Sequence, residues 1–223
     1  MSTVLLQADA ILRARPAPRR GAWSARSLGD LVMLVLVFGL FYGAVMGSFG
    51  GIFGDRARQV LYSALKVPIL LLVTFLLSLP SFFVINTLMG LRQDFAQATG
   101  ALISAQAGLT IILASLAPMT ALWYASTPNY HTAVVFNGIM FAVASVGAQT
   151  ILRRLYRPLI ARNVRHRVLL RMWLIIYTFV AVQMAWVLRP FVGDPGSPTS
   201  FFRPEAWGNA WEVIGRLIWD VVF

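Results

Sequence analysis

The side chains of this sequence that could do chemistry are few and unevenly placed. Only two histidines occur, His131 and His166, too few for the histidine clusters that hold a catalytic metal. Cysteine is absent, which removes thiolate nucleophiles, disulfides and sulfur metal sites. Asp194 and Glu205 flank a turn-rich stretch but stand eleven residues apart on a polar segment, an ordinary spacing for solvated carboxylates. No HExxH, GxSxG or phosphate-loop pattern is present. The expectation is a chain that is not an enzyme, with no cofactor and no metal.

The one dense constellation is basic. Arg153, Arg154, Arg157, Arg162, Arg165 and Arg167 fall within fifteen residues, with His166 among them. Nucleic-acid grooves interleave such charge with stacking aromatics, and Tyr156 is the sole aromatic here, so no nucleic acid is expected. Contact with anionic lipid headgroups is the simpler account, and an acidic protein partner is the alternative.

The elements that carry these residues are membrane spans. The chain of 223 residues is 58% hydrophobic and 12% charged, whereas soluble domains carry about 25% charge. Five apolar runs are each long enough to cross about 30 Å of hydrocarbon, at about 31–48, 67–88, 101–125, 132–152 and 168–187. The fold class is therefore an all-α integral membrane protein. Residues 1–29 form a basic N-terminal tail whose start, 3–13, can make a short amphipathic helix. Residues 30–190 form the five-span domain, and 191–223 an extracytoplasmic tail. Two interfacial helices are expected. One, near 55–66, sets Val60, Leu61, Ala64 and Leu65 on one face. The other, near 204–223, brings Trp207, Trp211, Ile214 and Ile218 together for interfacial or partner docking. Trp173 and Trp186 sit near opposite ends of the fifth run, as interfacial anchors do.

The first run carries glycine at every fourth position, Gly39, Gly43, Gly47 and Gly51. On a helix these form one stripe that lets another backbone approach closely, from this chain or another. Gly138 and Ala142 make a second small-residue pair. Pro80 and Pro118 lie mid-span and are expected to kink their helices, because proline removes a donor and clashes with the preceding turn. Thr74, Ser78, Asn86, Thr110, Ser115 and Thr120 lie near enough to satisfy the freed carbonyls. No Asp or Glu falls in any span, which argues against ion-coupled pumps and most secondary transporters.

Orientation follows from the loop charges. With the N-terminus inside, the inner segments hold twelve Lys and Arg and the outer segments six, so the topology is N-in and C-out. The segments LKVPILLLVTFLLSLPSFFVINTLMG, ASLAP and QMAWVLRPFVGDPGSP with FFRPE resemble a group of functionally uncharacterised bacterial multi-span proteins over residues 65–205. WVLRPFVG is the most specific of these stretches. The five-span plan is similar to that of the Yip-domain family, whose eukaryotic members act in vesicle trafficking and bind small GTPases. The N-terminal region here is basic and lacks that family's acidic Asp-Leu-Tyr-Gly-Pro type motif, so no functional residue carries over. The resemblance implies a multi-pass protein of a bacterial inner (cytoplasmic) membrane.

The functional expectation is a non-catalytic scaffold or accessory subunit of a membrane complex. Its partners would be membrane lipids and other subunits, or a second copy of itself. A passive channel or transporter, and a membrane-shaping or lipid-binding Yip-like protein, are the alternatives.

Overall fold

The computed structural model describes residues 3–13, 25–54, 56–202 and 208–213. Its elements are α1 (Thr3–Leu12), α2 (Ala25–Gly47), α3 (Arg56–Leu88), a 3₁₀ turn (Arg92–Asp94), α4 (Phe95–Ser126), α5 (Tyr130–Arg162) and α6 (Arg165–Leu188). Five of these helices are long and apolar enough to cross a membrane. The five expected runs are thus the five long helices, and the chain has the make-up of a multi-pass membrane protein.

α4 is the centre. Its apolar stretch is 78% buried, against 17% for that of α6. Small residues along α4 make this possible: a Cβ at Gly108 would lie 2.7 Å from the Ile151 side chain. α4 packs between α2 and α5, α2 packs on α3, and α3 packs on α6. α5 and α6 are the two ends of this series and meet only sparsely. α1, the short helix expected at 3–13, rests on α4 and buries Ala8. The proline- and arginine-rich part of the tail lies outside the described residues.

The glycine stripe finds its partner inside the chain. A Cβ at Gly43 would meet the Ser63 carbonyl oxygen at 2.4 Å, one at Gly47 the Val60 Cα at 2.9 Å, and one at Gly39 the Pro68 ring at 3.4 Å. These three glycines let α2 and α3 touch backbone to backbone. Gly51 does not belong to the stripe. It lies past the end of α2 at φ +123°, with nothing near the place of its Cβ, because the helix has already ended at Gly47. Gly138 and Ala142 also depart from expectation. Both are exposed on α5, and nothing lies within 4 Å of a Cβ at Gly138. The small residues that α5 buries are Ala133, Ala144 and Ala148.

A separate helix over 55–66 is not formed. Residues 56–66 are the first third of α3, which runs unbroken through Pro68 and Pro80 to Leu88. The buried face of this stretch is its polar one, with Gln59, Ser63 and Lys66 enclosed while Leu61 and Leu65 are exposed. The amphipathic pattern was legible, but its polar side turns inward. The chain leaves α3 through Gly90, whose φ of +74° admits a C-terminal cap in which the Leu91 N–H bonds the Asn86 carbonyl at 2.9 Å.

The basic stretch 153–167 is not a loop. Arg153, Arg154, Arg157 and Arg162 continue α5 through Pro158, since arginine and leucine are good helix formers. α6 then starts at Arg165, after a turn in which Asn163 Oδ1 accepts the Arg165 N–H at 3.0 Å. α4 likewise runs through Pro118. Thr110 and Ser115 bond the carbonyls of Ala107 and Ile112, not that of Ala114, which Pro118 frees. Trp173 is a core residue, 2% exposed, edge-on to Phe75 and Phe82.

The contrast among glycines is testable. Gly43→Leu is expected to lower stability by about 1–3 kcal/mol or more through overpacking. Gly138→Ala is expected to leave it unchanged or raise it by up to about 1 kcal/mol, because the position is open and alanine is the better helix former. Thermal unfolding of the two variants in detergent measures both.

Candidate functional site

Three polar assemblies and one cleft stand out among the described residues. The first joins α3 to the segment after α6. Five successive carbonyls of that segment each accept a side-chain donor. Lys66 Nζ donates to Pro190 at 2.7 Å, and the Ser63 hydroxyl donates to Phe191. Tyr130 donates to Val192 at 3.2 Å. Arg56 donates to Gly193 at 2.9 Å and to Asp194 at 3.3 Å, and also to Phe49 at the end of α2. Gln59 supports Ser63 from 3.0 Å. A Cβ at Gly193 would lie 2.4 Å from the Gln59 side chain, so only glycine lets the segment come this near. Enclosed irregular backbone must have its polar groups paired, and α3 supplies most of the donors. Lys66 also faces the Phe201 ring at 5.0 Å.

The second assembly is a buried hub on Asn137 of α5. Its Oδ1 accepts the Tyr42 hydroxyl at 3.1 Å. Its amide donates to the Tyr124 hydroxyl at 2.6 Å and the Ala133 carbonyl at 2.8 Å. Tyr124 in turn donates to the Met46 carbonyl at 3.1 Å. This network ties α2, α4 and α5 together.

The third lies at the arginine-bearing end. His166 is fully buried, with Nε2 3.0 Å from Asp94 Oδ2 and its ring edge-on to Tyr156. Arg162 bonds Gln97 at 2.9 Å and stands 3.7 Å from Asp94; Arg165 donates to the Met89 carbonyl at 3.2 Å. All six arginines from Arg153 to Arg167 are exposed. His131 is at the opposite end of the helices, exposed at the start of α5.

The cleft lies where α5 and α6 part. Its larger lobe, about 650 Å³, is bordered by His131, Gly138, Phe141, Ala185, Arg189 and the carbonyl-bearing residues 190–192. A smaller lobe of about 320 Å³ continues from it past Leu70, Phe141 and Ala185 to Gln106, Gln149 and Tyr177. Tyr177 donates to Gln106 at 3.1 Å, while Gln149 Oε1 is buried without a partner.

Sequence reasoning brought forward some of these residues and missed others. Gly39, Gly43 and Gly47 lie against α3, and the six arginines lie exposed along the end of α5 and the start of α6. Trp207, Ile214 and Ile218 lie outside the described residues. Trp211 is described and stacks on Phe179 of α6, with ring centroids 4.8 Å apart. The adjoining backbone is clamped by Gln183, which accepts the Ala210 N–H at 3.0 Å and donates to the Gly208 carbonyl at 3.1 Å. Trp211 therefore docks on its own chain. The Asn137 hub and the carbonyl ladder carried no local signal, because their members are distant in sequence. No protein-family model, curated protein or solved structure matches this chain.

Two outcomes follow. Lys66→Met leaves the Pro190 carbonyl without its donor, at a cost of about 1–3 kcal/mol. Backbone amides of residues 191–194 are expected to exchange hydrogen faster in this variant, with α4 unchanged. Second, the Gly196 N–H and the Ser197 hydroxyl, each 3.0 Å away, hold the Asp194 carboxyl below the usual carboxylate range. Its folded value is thus below the unfolded one of about 3.9. Asp194 then adds stability above about pH 4 and loses it as pH falls through the folded value. The protection factors of residues 194–197, that is, exchange corrected for its intrinsic pH dependence, should fall on acidification in the parent chain, and this acid response should be flattened in Asp194→Asn.

Proposed function

We propose that this chain is a non-catalytic scaffold or accessory subunit of a membrane complex in a bacterial inner membrane. Its orientation is N-in and C-out, and the arginine-bearing elbow between α5 and α6 docks an acidic cytoplasmic partner. The observation that carries this reading is the length of the elbow and its exposed charge. α5 has 33 residues and at ~1.5 Å per residue is about 50 Å long, well beyond a hydrocarbon core of about 30 Å. Arg153 to Arg162 rises about 13 Å along the axis, whereas each headgroup layer is only about 5–8 Å thick. The near arginines, Arg153 and Arg154, suit anionic headgroups. Arg162, Arg165 and Arg167 stand past them, where a protein surface is the fitting counterpart. Arg153, Arg154, Arg157 and Arg167 make no ion pair among the described residues, so their charge is available for an outside carboxylate. The enclosed glycine stripe leaves the elbow as the better docking surface.

Copurification in mild detergent tests this. The triple variant Arg157→Glu, Arg162→Glu, Arg167→Glu should retain at least tenfold less of the copurifying protein than the parent. The matching lysine variant should keep most of it. A parent chain that purifies as a partnerless monomer would overturn the proposal.

A further inference from the structure

We propose that the elbow-side end of the open groove between α5 and α6 binds one anionic phospholipid, its phosphate between Arg153 and Arg171 and one acyl chain along the groove. Helix register places the two arginines. The groove is lined on α5 by Gly138, Ser145 and Gln149, and on α6 by Leu174, Thr178 and Ala181. Arg153 follows Gln149 by four residues, and Arg171 precedes Leu174 by three and Thr178 by seven. Each arginine therefore continues the groove-facing stripe of its own helix by one turn. Both are exposed.

Their level suits a phosphate. Arg171 and Arg189 are about 27 Å apart along the α6 axis, close to the hydrocarbon thickness of about 30 Å. Arg153 lies about 33 Å from His131 along α5. Arg153 and Arg171 thus stand where the hydrocarbon ends on the elbow side, one on each helix.

Nothing among the described residues neutralises this pair. Neither arginine makes a hydrogen bond or an ion pair there. Asp94 is the only carboxylate of residues 56–193, and it stands 3.0 Å from His166 and 3.7 Å from Arg162. Asp9 holds Arg13 at 2.7 Å, and Asp30 accepts from Gln7 at 3.3 Å. Two guanidiniums without a counter-ion at a membrane edge take one from outside, and their planar donors match phosphate oxygens.

Gln149 decides between a lipid and a free anion. Its carboxamide makes no hydrogen bond among the described residues. It lies one turn, about 6 Å, deeper than Arg153, at the inner edge of a headgroup layer about 5–8 Å thick. Phospholipid ester carbonyls occupy that level and accept the Gln149 amide N–H. A free phosphate bound at the arginines has no group there. Beyond Gln149 the groove faces the bilayer along Leu174, exposed Thr178 and Ala181, so an acyl chain enters sideways.

Native mass spectrometry of the full chain, released from phosphatidylcholine nanodiscs containing a minor fraction of phosphatidylglycerol, tests the site. The parent should retain one phosphatidylglycerol per chain, enriched at least fivefold over its share of the disc. Arg153→Gln with Arg171→Gln should return it to that share while the thermal midpoint holds. Arg92→Gln with Arg154→Gln removes the same charge from the same end of the helices, off the two stripes, and should keep the enrichment. Gln149→Leu keeps both groove arginines and should lower retention about threefold. Bulk proportion in the parent, unchanged enrichment in the folded Arg153 and Arg171 variant, or an equal loss in the Arg92 and Arg154 variant would each overturn the proposal. So would displacement of the retained lipid by inorganic phosphate. Arg157, Arg162 and Arg167 are intact in all these variants, so the outcome stands apart from that of partner docking.

Discussion

Backbone carbonyls that leave a helix and are enclosed by protein need donors, and five in a row need an organised set of them. Residues 190–194 take theirs from Arg56, Ser63, Lys66 and Tyr130. Much of the architecture follows from this requirement. For α3 to present donors to that segment, its polar edge must face inward. For that edge to be enclosed, α2 must come within backbone contact of Val60, Ser63 and Ala64, and glycine at 43 and 47 makes the approach possible. The regular glycine spacing and the irregular segment 150 residues later are two sides of one contact.

The sequence made the five long helices plain, because runs of about 20 apolar residues have few other uses. It showed that Gly39, Gly43 and Gly47 form a packing stripe without showing what meets them, since spacing on one helix says nothing of its neighbour. The stretch 56–66 misled for a definable reason. Amphipathic periodicity locates two faces, but in a bilayer the apolar face turns to lipid and the polar face to protein, the reverse of the arrangement at a water interface. Helix ends were also misplaced. α5 was expected to stop at Leu152 and runs to Arg162, because charge marks the end of hydrocarbon, not the end of hydrogen bonding. Asn137 and the cleft left no trace in sequence. A lone asparagine in an apolar run does not reveal which tyrosines reach it, and a gap between helices is a property of their angle.

The two ends of the molecule are built differently. At one end α2, α4 and α5 are locked by the Asn137 hub, and α3 is locked to the segment after α6. At the other end the elbow stands exposed, anchored through Arg162, Arg165 and the His166–Asp94 pair. α5 and α6 are joined at that elbow and diverge toward the locked end. They are held there by contacts to other helices more than to each other, which is why the cleft opens between this pair.

The spacing of the carbonyl ladder along the chain has a consequence for biosynthesis. Lys66 precedes its acceptor by 124 residues and Arg56 precedes its own by up to 138. As the polypeptide emerges, α3 must enter the bilayer long before residues 190–194 exist. Its lysine, serine and glutamine then depend on water or the translocation machinery until the last span is in place. Insertion of this protein is thus a provisional arrangement that its C-terminal part makes permanent.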